Sequence, residues 1–216
     1  MSDFSGKAVL ITGAKGNLGK ALSEAFTSRG ANVVPVDLPT NLLDQAQVDA
    51  VVQKAIKDFK RIDVLCNIAG GFRMGKPVHE TSDADWNFLM DLNARTVLHT
   101  ARAVVPHMIA AGGGKIINVG AFAAQKGAAN MGAYIASKSA VMRLTETMAA
   151  ELREKNINVN CVLPTIIDTP ANRADMPKAD PKRWVAPGEL ANVIMFLASD
   201  AARAVHGATL PVTGLS

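Results

Sequence analysis

Tyr134 is the only tyrosine in the chain, and Lys138 follows it four residues later in the run Tyr-Ile-Ala-Ser-Lys. On a helix that spacing brings both side chains to one face. An ammonium beside a phenol lowers the phenol pKa from ~10 toward neutrality. A phenol tuned in this way gives a proton to a carbonyl oxygen as hydride arrives, or takes it back in the reverse direction.

A second group of residues points to what delivers the hydride. Thr12-Gly13-Ala14-Lys15-Gly16-Asn17-Leu18-Gly19 lies between a predicted strand and a predicted helix, where a glycine-rich turn cradles a pyrophosphate. Gly13 permits the tight turn, Gly16 lets the backbone approach phosphate oxygens, and Gly19 lets helix and strand pack closely. The amides at the helix start, around Asn17 and Leu18, face the anion. The spacing Gly-x-x-Gly-x-x-Gly departs from the more general Gly-x-Gly-x-x-Gly. Asp37 ends the second predicted strand 18 residues after Gly19, close to the ~20 expected of the acid that binds the adenosine ribose. Its charge would repel an additional phosphate, so NAD(H) is the expected cofactor. Lys15 offers positive charge nearby, and NADP(H) is not excluded. An oxidised nicotinamide would add a second positive charge near Tyr134.

These groups need a scaffold, and the chain supplies one by alternating short β-branched runs with longer helical ones, the pattern of a parallel sheet covered by helices. Strands are predicted at 7–12, 32–37, 62–67, 115–119, 158–163 and 208–212. Helices are predicted at 17–29, 44–59, 83–110 and 133–155, and another begins near Pro187. The expected fold is α/β, a single Rossmann-type doubly wound parallel sheet with helices on both faces. Only Leu38-Pro39-Thr40 separates Asp37 from Asn41-Leu42-Leu43-Asp44, too little for the crossover of about a dozen residues that reaches a further parallel strand. One edge strand and its helix should therefore be missing or shortened. Residues 170–186 hold three prolines and little periodicity, which predicts a long surface excursion, functional or disordered.

Composition narrows the function classes. The 216 residues are 49% hydrophobic and 19% charged, suited to one folded domain over 1–216 that binds cofactor and carries the chemistry. The net charge of +4 is spread along the chain without a basic run, so no nucleic-acid partner is expected. No apolar run approaches the ~18 residues of a membrane span. Residues 1–7 are polar and lack the basic start of a secretory signal, so a cytoplasmic location is expected. Cys66 and Cys161 stand alone in apolar strands and are expected to be reduced core thiols. His79, His99, His107 and His206 show no paired spacing, so no metal is expected.

In order and spacing these motifs resemble the short-chain dehydrogenase/reductase family over nearly the whole chain. Asn67-Ile-Ala69-Gly70 resembles the family's Asn-Asn-Ala-Gly segment, which steadies the central sheet. The resemblance implies that Asn93 orders a water in a proton relay toward Lys138, and that Lys138 also holds the nicotinamide ribose. Pro164 to Thr169 resembles the Pro-Gly-x-Val-x-Thr segment beside the nicotinamide, with Thr165 in place of the glycine and Thr169 positioned for the carboxamide. A homodimer or homotetramer acting on a small-molecule substrate is implied as well.

The family's catalytic serine, thirteen residues before the tyrosine, is Ala121 here. Loss of a donor that stabilises developing charge costs ~2.7–4 kcal/mol, so simple ketones and alcohols should be poor substrates. Within the family, the dihydropteridine reductases share the glycine spacing and lack the serine. Phe72, in Cys66-Asn-Ile-Ala-Gly-Gly-Phe72, stands where a pterin ring would stack, and Trp184 falls in a segment resembling their lid, which implies that 170–186 is a substrate-lid loop. The expected substrate is a quinonoid dihydropterin or a similar quinone-like or imine compound, contacted by Phe72, Ala121 and Trp184. The alternatives are a cofactor-binding scaffold with weak or lost catalysis, and a carbonyl or alcohol dehydrogenase in which another group replaces the serine. A sugar-nucleotide epimerase is disfavoured, because the residues after Thr169 are too few for its substrate domain of ~100 residues.

Overall fold

The computed structural model describes residues 3–216; Met1 and Ser2, the start of the polar 1–7 stretch, lie outside the described residues. Six parallel strands form one sheet: β1 (Ala8–Thr12), β2 (Asn32–Val36), β3 (Val64–Asn67), β4 (Gly114–Val119), β5 (Ile157–Pro164) and β6 (Thr209–Val212). Their order across the sheet is β2-β1-β3-β4-β5-β6. Strand residues alternate between two cores, as the period of two requires. Val9, Ile11, Cys66 and Ile117 pack against α1 (Asn17–Thr27) and α7 (Pro187–Ala198). Leu10, Leu65, Ile116 and Val159 face α2 (Gln45–Phe59), the helix Thr96–Ala110 and the helix Gly132–Leu152. Both faces are covered, which explains why the strands read as continuous apolar runs.

From β1 the chain moves outward to β2, then crosses back through α2 to β3 on the other side of β1. That reversal opens a crevice at the C-terminal ends of β1 and β3, where doubly wound sheets bind ligands. Residues 37–44 add no strand, so β2, which includes Pro35, is the edge of the sheet. This is the shortening expected from the sequence.

The structure revises two other expectations. Residues 83–110 are not one regular helix: α3 (Asp83–Met90) runs into a π turn at Asp91–Arg95 and then α4 (Thr96–Ala110). A π turn adds a residue to the helical ring without breaking the outer apolar pattern, so periodicity does not reveal it. Following α5 (Gly132–Leu152), the 170–186 excursion is partly ordered by α6 (Pro170–Asp175), a 3₁₀ turn at Pro181–Arg183 and a bridge between Ile167 and Val185. Thr169 caps α6, its hydroxyl accepting from the Asn172 N–H at 3.2 Å. No helix among the described residues is long and apolar enough to cross a membrane.

Candidate active site

The glycine turn sits in the crevice between β1 and α1. Gly13 has φ +68°, and a Cβ there would lie 2.8 Å from the Ala69 nitrogen. At Gly19 a Cβ would come within 2.2 Å of the Gly13 carbonyl oxygen, so this glycine permits close helix packing. Gly16 differs: its Cβ would meet only the Gly13 oxygen, at 3.3 Å, and as the N-cap of α1 it provides no side-chain cap. That contact is tight but milder than those at Gly13 and Gly19. The Asp37 carboxylate holds the turn, accepting the backbone N–H of Lys15 and of Leu38, each at 2.8 Å. The Lys15 ammonium donates to the Leu38 carbonyl.

The loop after β3 closes the other wall. Thr12, buried at the end of β1, accepts the N–H groups of Ile68 and Ala69 through its hydroxyl. Asn67 donates to Asn118 at 2.9 Å and accepts from Thr100 at 2.8 Å, and Asn118 donates to Thr145 on α5. This buried polar chain ties β3 and β4 to the helices that carry the remaining candidates.

On α5, Tyr134 and Lys138 lie one turn apart, as expected. Lys138 is buried and donates to the Val119 carbonyl at 2.8 Å, at the end of β4. A Cβ on Gly70 would lie 2.9 Å from Asn93 Oδ1 and 3.1 Å from Lys138 Nζ, so Gly70, Asn93 and Lys138 meet. Burial pushes the Tyr134 phenol up to about 12 and lowers Lys138 to about 8. The expected lowering of the phenol by its neighbouring cation is therefore corrected in this state. Desolvation dominates, and the ammonium is engaged by a carbonyl.

Asn93 lies in the π turn and is buried. Its Oδ1 accepts from the Gly71 N–H, and its Nδ2 donates to the Gly71 carbonyl and to Ser137 Oγ. These three bonds engage the side-chain amide with protein partners on two elements. Ser137 in turn donates to the Tyr134 carbonyl at 2.8 Å. Thr12 and Ser137 were missed by sequence reasoning, although each adjoins a recognised motif residue, Gly13 and Lys138.

Phe72 and Tyr134 meet edge to face, with ring centroids 4.8 Å apart and planes at 86°. Phe72 is 55% exposed. Ala121 is buried among Val97, Met142 and Leu163 and brings no hydroxyl. Trp184, at 6% exposure, is packed inside the protein, which corrects the expectation of an accessible substrate-facing ring. Pro164 ends β5 paired with Val212, and Thr165 donates to the Thr213 carbonyl at 2.9 Å.

Residues 4–214 match the family model described as Enoyl-(Acyl carrier protein) reductase. The chain is also 33% identical to the 3-oxoacyl-(acyl-carrier-protein) reductase FabG of Thermotoga maritima, over 98% of each chain. The protein belongs to the short-chain dehydrogenase/reductase family, and it is an oxidoreductase of that type. The alignment with this relative spans 241 positions, more than the 216 residues of the chain, so the relative carries residues that this family member lacks. The NAD-dependent glycerol dehydrogenase of Listeria innocua is 32% identical over 98% of this chain and 94% of its own. Among solved structures, carveol dehydrogenase from Mycobacterium avium in complex with NAD superposes with a TM-score of 0.90 at 25% identity, covering 99% of this chain and 98% of that one. NAD+-bound xylitol dehydrogenase gives 0.90 at 27% identity, covering 98% and 99%.

Proposed function

We propose that this short-chain dehydrogenase/reductase uses NAD(H) to reduce a quinone-like or imine compound, a quinonoid dihydropterin being the leading candidate. The observation that carries this reading is the buried, apolar setting of Ala121, which offers no hydroxyl to a developing alkoxide beside Tyr134. A quinonoid acceptor spreads its incoming charge over its own ring and needs that donor least.

The residues present fit a dinucleotide. The uncapped start of α1 and the Cβ-free surface of Gly16 suit a pyrophosphate held by residues 13 and 15–19. Each Asp37 oxygen retains acceptor capacity for a ribose after its single backbone bond. Asn67, Ala69, Gly70, Lys138, Pro164 and Thr169 would hold the nicotinamide half, and NAD is the cofactor bound by the two structural neighbours above. Bound there, the cofactor supplies hydride. Tyr134 Oη supplies the proton: a phenol held near 12 is protonated at neutral pH, which suits reduction better than oxidation. Lys138 holds the ribose, Asn93 fixes the Gly71 backbone beside it, Phe72 stacks on the substrate, and residues 170–186 act as its lid. Exposed Trp86, Leu98 and Ile109 on α3 and α4 suit packing into a homodimer or homotetramer.

One observation favours a second reading, a cofactor-binding scaffold: Lys138 is bonded to a carbonyl and leaves the phenol untuned. NADH oxidation followed with quinonoid dihydropterin and with simple ketones separates the readings. Rapid transfer to the quinonoid compound and slow transfer to ketones, with Tyr134→Phe abolishing most of the first, is the expected result. NADH binding without transfer to any acceptor would establish the scaffold, and rapid ketone turnover would establish an ordinary carbonyl reductase.

A further inference from the structure

Next to the segments that carry Phe72 and Tyr134 lies a cavity of about 210 Å³, lined among others by Arg73, Met74, Lys76, Asp85, Leu89 and Met131. Two of its lining residues adjoin the site in sequence, Arg73 following Phe72 and Ala133 preceding Tyr134. The Gly75 N–H donates to the Asn130 carbonyl at 2.9 Å, joining the loop that carries the cations to the start of α5.

The charges lining this cavity do not balance. Asp85 is its one carboxylate, and that group is already engaged in capping α3. It sits three residues after the N-cap Ser82, whose hydroxyl accepts the Asp85 N–H while donating to Asp85 Oδ2 at 2.9 Å. Arg73 reaches Asp85 with a single nitrogen, Nη1 at 2.9 Å, and its guanidinium lies 3.6 Å over the Phe88 ring. Its other nitrogens make no further hydrogen bond among the described residues. Lys76 approaches the same carboxylate only to 3.9 Å, too far for a hydrogen bond. Glu80 and Asp83, on the same segment, do not line the cavity. The Phe88 face orients the guanidinium plane without neutralising it, which leaves a planar donor fork and an ammonium over a small, partly apolar space.

We propose that this cavity is the acid-recognition subsite of the reaction, and that the quinone-like or imine substrate bears a carboxylate, held by Arg73 and Lys76 while its reducible ring lies at Phe72 and Tyr134. The assignment rests on the reading of Tyr134 as the reacting centre, and it adds a substrate class to it. The free edge of the Arg73 guanidinium matches the oxygens of a carboxylate or of a phosphate; the proposal commits to the carboxylate, and the titration below includes phosphate as the competing anion.

Calorimetric titration of the NADH-saturated protein with benzoate and with benzamide tests it without requiring turnover. Benzoate should bind about tenfold or more tighter than benzamide, the gain expected of charge-assisted hydrogen bonds. Arg73→Gln and Lys76→Gln should each reduce that preference severalfold, and the double variant should remove it. Circular dichroism reports whether the variants remain folded, and Lys126→Gln, a cation outside the cavity, is the control that should leave the preference intact. Equal binding of the two ligands by the wild-type protein, or a preference that survives the double variant, overturns the proposal. Inorganic phosphate displacing benzoate at lower concentration than benzoate itself overturns the choice of carboxylate. Benzoate preference without hydride transfer to any acceptor would refute the catalytic reading and leave the anion site standing.

Discussion

The side-chain amide of Asn93 holds Gly71 through both of its backbone polar groups, accepting from its N–H at 2.9 Å and donating to its carbonyl at 3.0 Å. The same amide donates to Ser137 on α5, so a single side chain joins the π turn, the loop after β3 and the helix bearing Tyr134 and Lys138. Asn93→Ala should therefore cost about 1–3 kcal/mol of stability, the penalty for leaving buried partners unmatched. Urea denaturation measures this, and an unchanged midpoint would mean that the bonds are replaced.

The glycines of the turn should separate folding from binding. Gly16→Ala introduces a tight but tolerable 3.3 Å contact with the Gly13 oxygen and should fold with at most a small loss of stability, yet weaken NADH binding by about tenfold or more, because its methyl group occupies the approach to the pyrophosphate. Gly19→Ala drives a methyl group to 2.2 Å from the Gly13 oxygen, against backbone that cannot yield, and should destabilise the fold by about 1–3 kcal/mol or more. Melting temperature and NADH fluorescence titration together distinguish the two outcomes.

Ala121→Ser returns the hydroxyl that the family motif carries. Turnover of simple ketones should rise by about 100-fold if the new donor reaches the carbonyl oxygen. Burying that hydroxyl among Val97, Met142 and Leu163 should lower stability by about 1–3 kcal/mol. Steady-state kinetics with a cyclic ketone checks the first effect, and thermal denaturation the second.

Asp37→Asn keeps one acceptor oxygen and removes the charge. One of the two amides now held, that of Lys15 or of Leu38, loses its partner, while repulsion of an added phosphate disappears. The ratio of NADH to NADPH affinity should fall by about tenfold. An unchanged ratio would show that the carboxylate serves only to shape the turn.

Lys138 gives a pH signature of known sign. Its folded-state value of about 8 lies below the ordinary 10.5, so between these values the unfolded chain binds more protons and stability rises with pH. Below about 8 the wild-type protein carries the whole penalty of a buried ammonium. Comparison with Lys138→Met by denaturation at pH 7, 8, 9 and 10 should show the wild type gaining on the variant across that window. A constant difference would place the lysine's folded value near normal.

The sheet was legible because each strand is an apolar run bounded by polar turns, and the missing edge because three residues cannot form a crossover. The environment of Asn93 was not legible. A helical pattern at 83–110 looks the same whether or not a π turn adds one residue, and that turn accompanies the close approach of Asn93 to Gly71. Trp184 was misread because an aromatic in a proline-rich loop looks accessible until Val185 pairs with Ile167 and draws its neighbour inside. The Tyr134 and Lys138 spacing was read correctly as geometry but incorrectly as electrostatics, since sequence separation says nothing about how deeply both groups are desolvated.

Pro35 carries a consequence for how copies of this chain meet. The Asn32 N–H donates to Lys7 and the Val36 carbonyl accepts from Ala14, so residues of that parity on β2 turn their polar backbone groups inward. Val33 and Pro35 then turn theirs toward solvent, and a proline has no amide hydrogen to offer. A shortened sheet bares a flank that would otherwise template strand-by-strand growth, and this imino acid leaves the flank a single donor. The protein has lost a rim without gaining an adhesive border.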